Sequence, residues 1–213
     1  SNLKNELVDE ETFARRIAAE GTHQEQVLSE AYTEYQRRLR QANAMDFDDL
    51  IMTTVHMLQA FPDVAEHYRR RFRHVMVDEY QDTNHAQYVL VKELVGGAGA
   101  SPSGPSDGPQ VPPSELVVVG DADQSIYAFR GATIRNIVEF EQDYPKARTI
   151  LLEQNYRSTQ TILSAANAVI ERNPDRRKKT LWTAAGSGER IVGYVGDNEH
   201  DEASFVARSI DRL

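Results

Sequence analysis

Four short runs of apolar and β-branched residues, well separated along the chain, constrain its fold more than any other feature. They are residues 74–77 (HVMV), 116–119 (LVVV), 149–152 (TILL) and 191–195 (IVGYV). Runs of this length suit strands that are buried on both faces of a parallel sheet. The segments between them carry apolar residues at helical spacing. Strands that alternate with helices indicate an α/β fold with a mainly parallel sheet.

Helices are predicted before, between and after these runs. Residues 9–68 repeat apolar side chains at helical spacing among charges, with a break near Pro62. Asn84, followed three residues later by Gln87, has the pattern of a helix N-cap for residues 84–94. Two later helices are also predicted. The first is capped by Ser158 and carries Ile162, Ala166, Val169 and Ile170 on one face. The second is marked by Val206, Ile210 and Leu213.

Composition excludes several classes of protein. The chain has no cysteine, which rules out disulfides and thiolate metal sites. It has no run of about 18 apolar residues and no apolar signal core, so no membrane span is expected. Residues 96–113 hold five Gly and five Pro. Such a segment buries too little apolar surface to offset its ordering entropy, which predicts a flexible surface insertion. A partner-binding loop is the alternative.

The net charge of −9 argues against nucleic acid as a partner, because a DNA-binding surface needs positive charge. Local charge decides such binding, however, and basic residues cluster at residues 69–73 and 172–179. Solvated surface is the alternative interpretation of both clusters.

An acidic pair, Asp78 and Glu79, directly follows the run at 74–77. In α/β sheets, ligands bind outside the carboxyl ends of the strands. Asp78 there is a candidate ligand for Mg²⁺, which prefers hard oxygen ligands. Glu79 is a candidate general base that orients and deprotonates an attacking water. The dipeptide alone is common, and it also fits the plain start of a loop.

Longer strings resemble the motifs of UvrD-like superfamily 1 DNA helicases, the group of UvrD, PcrA and Rep. DEYQDTN (residues 78–84) resembles motif II, and VVVGDADQSIYAFRGA (residues 117–132) resembles motif III. LEQNYRST (residues 152–159) is similar to motif IV, and MDFDDL (residues 45–50) is similar to the segment before motif II. The four occur in the family's order. The resemblance covers nearly the whole chain and implies RecA-like parallel sheets with flanking helices.

The resemblance assigns ATP chemistry to five residues. It implies that Asp78 holds Mg²⁺ and that Glu79 is the catalytic base. Gln124, whose amide both donates and accepts hydrogen bonds, would sense the γ-phosphate of ATP and link it to the DNA contacts. Tyr156 would stack on adenine. Arg157 would contact the γ-phosphate from the second motor domain as an arginine finger, a group worth about 10³–10⁵-fold in phosphoryl transfer. A structural ion pair is the alternative for Arg157.

The resemblance also implies contacts to single-stranded DNA. Tyr127 and Phe129 would stack on bases, and Arg130 would stack or pair with phosphate. The family often has Trp where this chain has Phe129, which keeps the stacking on a smaller platform. Phe47 matches a further family position that contacts DNA. Core packing is the alternative for these aromatic residues.

The family's phosphate-binding loop, Gly-x-x-x-x-Gly-Lys-Ser/Thr, does not occur in the sequence. The family places that loop N-terminal to these motifs, so we expect an internal fragment of a longer protein. Residues 1–40 would end a helical 1B insertion and return into domain 1A. Residues 41–147 would form the second half of RecA-like domain 1A, with the insertion at 96–113. Residues 148–213 would hold the hinge and the first part of domain 2A.

The predicted function is therefore part of an ATP-dependent, 3′–5′ DNA helicase that acts on single-stranded DNA or on junctions in repair or replication. Mg²⁺ with ATP is the expected cofactor, and DNA-repair proteins are candidate partners. Lack of cysteine fits a cytoplasmic protein, and the resemblance implies a bacterial, nucleoid-associated one. Two alternatives stay open: a natural truncated binding module without ATPase activity, and a helicase–nuclease subunit of the RecB or AddA kind.

Overall fold

The computed structural model describes residues 1–18, 21–96, 114–125, 140–173 and 179–212. Almost all of the predicted insertion lies outside these ranges, as do residues 174–178 of the second basic cluster and Leu213 of the last predicted helix. The chain divides into two compact units, Ser1–Arg148 and Thr149–Leu213.

Helices dominate the described part of the first unit. Its elements are α1 (Asn2–Asn5), α2 (Glu10–Ile17), α3 (His23–Gln41), α4 (Phe47–Ala60), α5 (Pro62–Arg71), β1 (His74–Val77), α6 (His85–Val95) and β2 (Glu115–Val118). The helices predicted over residues 9–68 are confirmed, and Pro62 begins α5 directly after the break. Asn84 and Gln87 form the predicted capping box of α6, each side chain accepting the other's backbone N–H at 2.9 Å.

Strands β1 and β2 pair in parallel, in register from His74 opposite Glu115 to Val77 opposite Val118. The connection between them contains α6, which packs on β1. Two of the four predicted strands and the parallel pairing are thus confirmed. Side chains on one face of this sheet are exposed, Met76 by 75%. Burial of both faces was therefore a wrong expectation, because the described helices cover one face only.

The core of the first unit lies between α4, α5 and α6, where Val55, Leu58 and Val95 are buried. An ion pair is buried in the same place. Arg69 donates from Nη2 to Glu93 Oε2 at 3.0 Å and from Nε to the Glu93 backbone carbonyl at 2.7 Å. Arg69 therefore serves the core and is not part of a basic surface.

A second polar cluster fixes the start of α4. The Lys4 ammonium is buried and lies 2.7 Å from Asp46 Oδ2 and 2.8 Å from Asp49 Oδ1. These two carboxylates also form the capping box of α4. Burial raises the pKa of Asp46, but hydrogen bonds from Lys4, the Asp49 N–H and Tyr35 outweigh it and hold that pKa at about 2. The cluster therefore holds the first turn of the helix that begins at Phe47.

The described part of the second unit contains α7 (Gln160–Ile170) and α8 (Glu199–Ile210). The helix predicted here is confirmed, but Thr159 rather than Ser158 is its N-cap, so the predicted cap was wrong. Leu163, outside the predicted apolar face, is the buried residue of α7. Ile162 and Val169 are exposed. None of the described helices is both long enough and apolar enough to span a bilayer.

The strands predicted at residues 149–152 and 191–195 are absent from the described part of the second unit. Its one strand-like pairing is an isolated parallel bridge between Gln154 and Trp182. A strand exists through a ladder to a neighbour, and neither run has a described partner strand. The apolar side chains of both runs are largely exposed, Val195 most of all.

We expect Arg69→Met to lower the free energy of unfolding by about 3–5 kcal/mol, because Glu93 would keep a buried charge without its partner. Chemical denaturation followed by circular dichroism measures the change. Arg70→Met is the matched control. Arg70 pairs with Glu66 on the surface, so its loss should cost less than about 1 kcal/mol. Equal losses from the two variants would contradict a structural role for the buried pair.

We expect Asp46 to stabilise the fold in a pH-dependent way. The pKa of Asp46 is about 2 in the folded chain, whereas the ordinary value for this side chain, which we take for the unfolded chain, is 3.8. The ionised Asp46 carboxylate therefore adds about 2 kcal/mol to the free energy of unfolding. This stabilisation is present above pH 4 and is lost as the pH falls towards 2. The stability difference between the native chain and Asp46→Asn should therefore shrink by about half from pH 6 to pH 3. A difference that is constant over this range would contradict the low pKa.

Candidate functional site

The acidic pair lies where the sequence predicts it, directly after β1. Asp78 accepts the Glu79 backbone N–H at Oδ1, at 2.9 Å, and both residues are exposed. Glu79 has φ 49° and ψ 43°, the left-handed region that residues other than glycine seldom occupy. Such backbone costs about 1–3 kcal/mol and persists where neighbouring contacts enforce it, often at functional sites.

The end of β2 lies beside this turn. Val119 donates its N–H to the Val77 carbonyl at 2.8 Å, and Tyr80 donates to the Val119 carbonyl at 2.9 Å. The backbone after each strand is thus held next to the other. Residues that follow both strands consequently meet at one edge of the sheet, at the carboxyl ends.

Gln81 joins the two strand ends with its side chain. It is 1% exposed. Its Nε2 donates to Glu79 Oε2 at 2.7 Å, and its Oε1 accepts the Asp121 backbone N–H at 2.9 Å. The orientation of this amide follows from its partners, since a carboxylate at neutral pH cannot donate and a backbone N–H cannot accept.

Gly120 leaves the space that Gln81 occupies. A Cβ at this position would lie 2.8 Å from Gln81 Oε1 and 3.3 Å from both the Gln81 nitrogen and Tyr80 Cβ. Any larger residue would push on the bridging amide. The glycine therefore allows the close approach of the two strand ends.

Gln124 belongs to the same edge. It ends a 3₁₀ turn, Ala122–Gln124, whose N-cap is Asp121. The Gln124 amide donates to Asp121 Oδ2 at 2.8 Å, and the other carboxylate oxygen accepts the Asp123 N–H at 3.0 Å. Asp78, Glu79 and Gln124 are thus brought together on one edge, connected through Gln81 and Asp121.

The donor set at this edge suits a metal that arrives with phosphate. Among the residues that the structure describes, no group of three or more acidic or histidine side chains could hold a metal by itself. Magnesium is commonly held by one or two carboxylates together with substrate phosphates. The exposed carboxylate of Asp78 fits that kind of binding.

Tyr156 and Arg157 lie in the second unit, on a turn organised by Asn155. The Asn155 side-chain oxygen accepts the Arg157 N–H at 2.9 Å and the Ser158 N–H at 2.7 Å. Asn155 is itself held through its N–H to the Trp182 carbonyl at 2.8 Å. Tyr156 is 85% exposed, and the Arg157 side chain is exposed as well.

The residues predicted to bind DNA are only partly described. Phe47 is the first residue of α4 and is 89% exposed, so the core-packing alternative is wrong for this side chain. Tyr127, Phe129 and Arg130 lie outside the described residues.

Sequence reasoning missed Gln81, Gly120 and Lys4. Gln81 lies within the DEYQDTN string, whose resemblance to motif II assigns it no role. One feature of the sequence could have indicated its role: an uncharged side chain that can both donate and accept hydrogen bonds stands between two carboxylates. Nothing in the local sequence marked Lys4, because its partners lie more than 40 positions away.

Two family models match the chain. The UvrD/REP helicase N-terminal domain matches residues 1–145, and the UvrD-like helicase C-terminal domain matches residues 150–213. The matches together cover both compact units.

Curated relatives agree with these models. The chain is 67% identical to the ATP-dependent DNA helicase UvrD1 of Mycobacterium leprae over 214 residues, which covers all of this chain and 27% of that protein. UvrD1 of Mycobacterium tuberculosis is also 67% identical over 213 residues, with the same coverage. The ATP-dependent DNA helicase PcrA of Bacillus subtilis is 48% identical over 213 residues, all of this chain and 26% of that protein. The chain thus spans about a quarter of the length of these relatives, and it belongs to the UvrD-like helicase family.

Proposed function

We propose that the chain is part of an ATP-dependent DNA helicase in which Asp78, Glu79 and Gln124 carry the ATPase chemistry. One observation carries the proposal: Glu79 and Gln124, which follow two parallel strands, are connected by hydrogen bonds through Gln81 and Asp121. They lie at the carboxyl ends of the strands, where α/β sheets generally bind ligands. The relatives named UvrD1 and PcrA support this reading over a subunit of the RecB or AddA kind.

Glu79 is proposed as the general base. Its carboxylate is exposed to solvent, where an attacking water is available, and the Gln81 amide fixes one of its oxygens. A base must lie within hydrogen-bond reach of the proton that it removes. Positioned acid–base groups contribute about 10²–10⁴-fold to rate.

Asp78 is proposed to hold Mg²⁺ bound to ATP. Bound Mg²⁺ would neutralise the charge that develops on the phosphate oxygens. Gln124 is proposed to contact the γ-phosphate. Its amide is oriented by Asp121, which leaves the carbonyl oxygen and one N–H for other partners.

Tyr156 is proposed to stack on the adenine of ATP, and Arg157 to stabilise charge on the transferred phosphoryl group. The exposure of both side chains, on a turn whose backbone is fixed by Asn155, supports these roles. Guanidinium groups suit this task because they keep their charge and bind phosphate oxygens in pairs.

Single-stranded DNA is the proposed polymer substrate, with translocation in the 3′–5′ direction. Phe47 offers an exposed ring at the start of a helix that Lys4 holds in place. Aromatic stacking on bases contributes about 1–3 kcal/mol per base. Tyr127, Phe129 and Arg130 are proposed to extend this contact. The assignment of residues 1–40, 41–147 and 148–213 to parts of domains 1B, 1A and 2A belongs to the same proposal.

We expect the 213-residue chain alone to hydrolyse no ATP, because it has no Gly-x-x-x-x-Gly-Lys-Ser/Thr loop to hold the phosphates. Phosphate release with and without single-stranded DNA measures this. DNA-stimulated turnover by this chain that Glu79→Gln abolishes would contradict the expectation.

Arg157→Ala, made in the full-length protein that carries this chain, should lower DNA-stimulated ATP turnover by at least about 10³-fold. The matched control is Arg190→Ala, since Arg190 is also exposed in the second unit and has no proposed role. Its turnover should stay within about twofold of the native value. A fall of less than about tenfold for Arg157→Ala would contradict the arginine-finger role.

A further inference from the structure

We propose that Gln81 is a positioning residue for ATP hydrolysis, whose buried amide holds the Glu79 carboxylate and couples it to Gln124. This inference rests on the proposed function of Glu79 as the base. The connection is continuous: Gln81 Nε2 to Glu79 at 2.7 Å, the Asp121 N–H to Gln81 Oε1 at 2.9 Å, and the Gln124 amide to Asp121 Oδ2 at 2.8 Å.

Gln81 is buried, so its role must differ from that of the exposed residues Asp78 and Glu79. Asp78 and Glu79 are exposed, whereas Gln81 is 1% exposed and so has no surface with which to touch nucleotide or DNA. Any effect of Gln81 on the reaction must therefore pass through the groups that it contacts. The amide uses a donor on one side and an acceptor on the other, as a bridge between two strand ends requires.

Glu79 needs such a bridge more than an ordinary surface glutamate. An exposed carboxylate on a flexible side chain samples several rotamers, and only some of them face an attacking water. The left-handed backbone fixes the start of the side chain. The Gln81 amide fixes its end.

The coupling has a mechanical consequence. A shift of Gln124 towards or away from the phosphate passes through the Asp121 carboxylate and backbone to the Gln81 amide, and from there to Glu79. The base and the proposed phosphate contact thus move as one hydrogen-bonded unit. The Gly120 backbone, with no Cβ between the strand ends, keeps this unit closely packed.

Two variants of Gln81 in the full-length protein separate positioning from simple bracing of the fold. Gln81→Met removes all the hydrogen bonds of this side chain, including a longer one of 3.5 Å from Nε2 to Asp82 Oδ2. Gln81→Glu keeps the acceptor for the Asp121 N–H and replaces the donor facing Glu79 with a like charge. Burial beside the Glu79 carboxylate raises the pKa of the introduced carboxyl well above its ordinary value of about 4.3, so this charge develops only at high pH. The kcat of each variant is therefore measured from pH 7 to pH 10 and compared with that of the native protein at the same pH.

The matched control is Gln87→Glu. It makes the same amide-to-carboxylate change six positions away, and Gln87 contributes only an acceptor oxygen to its capping box. The variant should therefore keep the native turnover and stability.

We expect Gln81→Met at every pH, and Gln81→Glu at the pH where its carboxyl is ionised, to lower kcat at least about tenfold while the KM for ATP stays within about twofold. This is the pattern of an interaction made only in the transition state. Gly120→Ala, which presses on the same amide through Gln81 Oε1, should lower kcat in the same way. A kcat for Gln81→Glu that stays native up to pH 10, together with a low kcat for Gln81→Met, would assign Gln81 to bracing alone and overturn the proposal. Equal changes in kcat and KM, or a kcat within threefold for both variants, would also overturn it.

Glu79→Gln, assayed beside them, separates the two proposals. If Glu79→Gln abolishes turnover and the Gln81 variants do not lower kcat, the positioning role fails while the proposed base stands. If Glu79→Gln leaves turnover intact, the proposed base itself fails, and the positioning role fails with it.

Discussion

The parallel pairing of β1 with β2 is the constraint on which the candidate site depends. Parallel strands end at the same edge of a sheet, so the residues after Val77 and after Val118 lie side by side, where Gly120 and Gln81 then join them closely. The helical crossover that parallel pairing requires also supplies α6, whose packing on α4 and α5 forms the core. One pairing thus underlies both the packing of the unit and the edge that carries the candidate site.

Polar contacts do the positioning that apolar packing cannot. The core residues between α4, α5 and α6 set the distance between elements, but they leave the side chains at the strand ends free to rotate. Buried amide and ionic groups add direction, because each has partners on only certain sides. Gln81 orients the strand ends, Arg69 ties α5 to α6, and Lys4 holds the first turn of α4.

Local signals in the sequence predicted much of this unit. Helical spacing predicted the helical region that contains α2 to α5, without the breaks between the first three helices. The Asn84 and Gln87 pattern predicted the start of α6, and two apolar runs predicted the strands. The tertiary ion pairs were not predicted, because Lys4 and Asp46, like Arg69 and Glu93, lie far apart in the sequence. The runs at 149–152 and 191–195 show the same limit: apolar composition alone does not make a strand without a neighbour to pair with. The motifs named candidate residues that the structure places at one edge of the sheet, but they did not predict that Gln81 would connect them.

At Glu79, the residue type that best suits the left-handed backbone differs from the residue type that supplies a carboxylate. Glycine or asparagine would adopt this conformation at lower cost, so a sequence optimised for folding alone would not choose glutamate here. Glutamate at this position lowers the local stability of the turn and places a carboxylate at the end of the strand. Directed evolution for thermal stability should therefore tend to replace Glu79, and the most heat-stable variants would then lack the carboxylate that is proposed as the base.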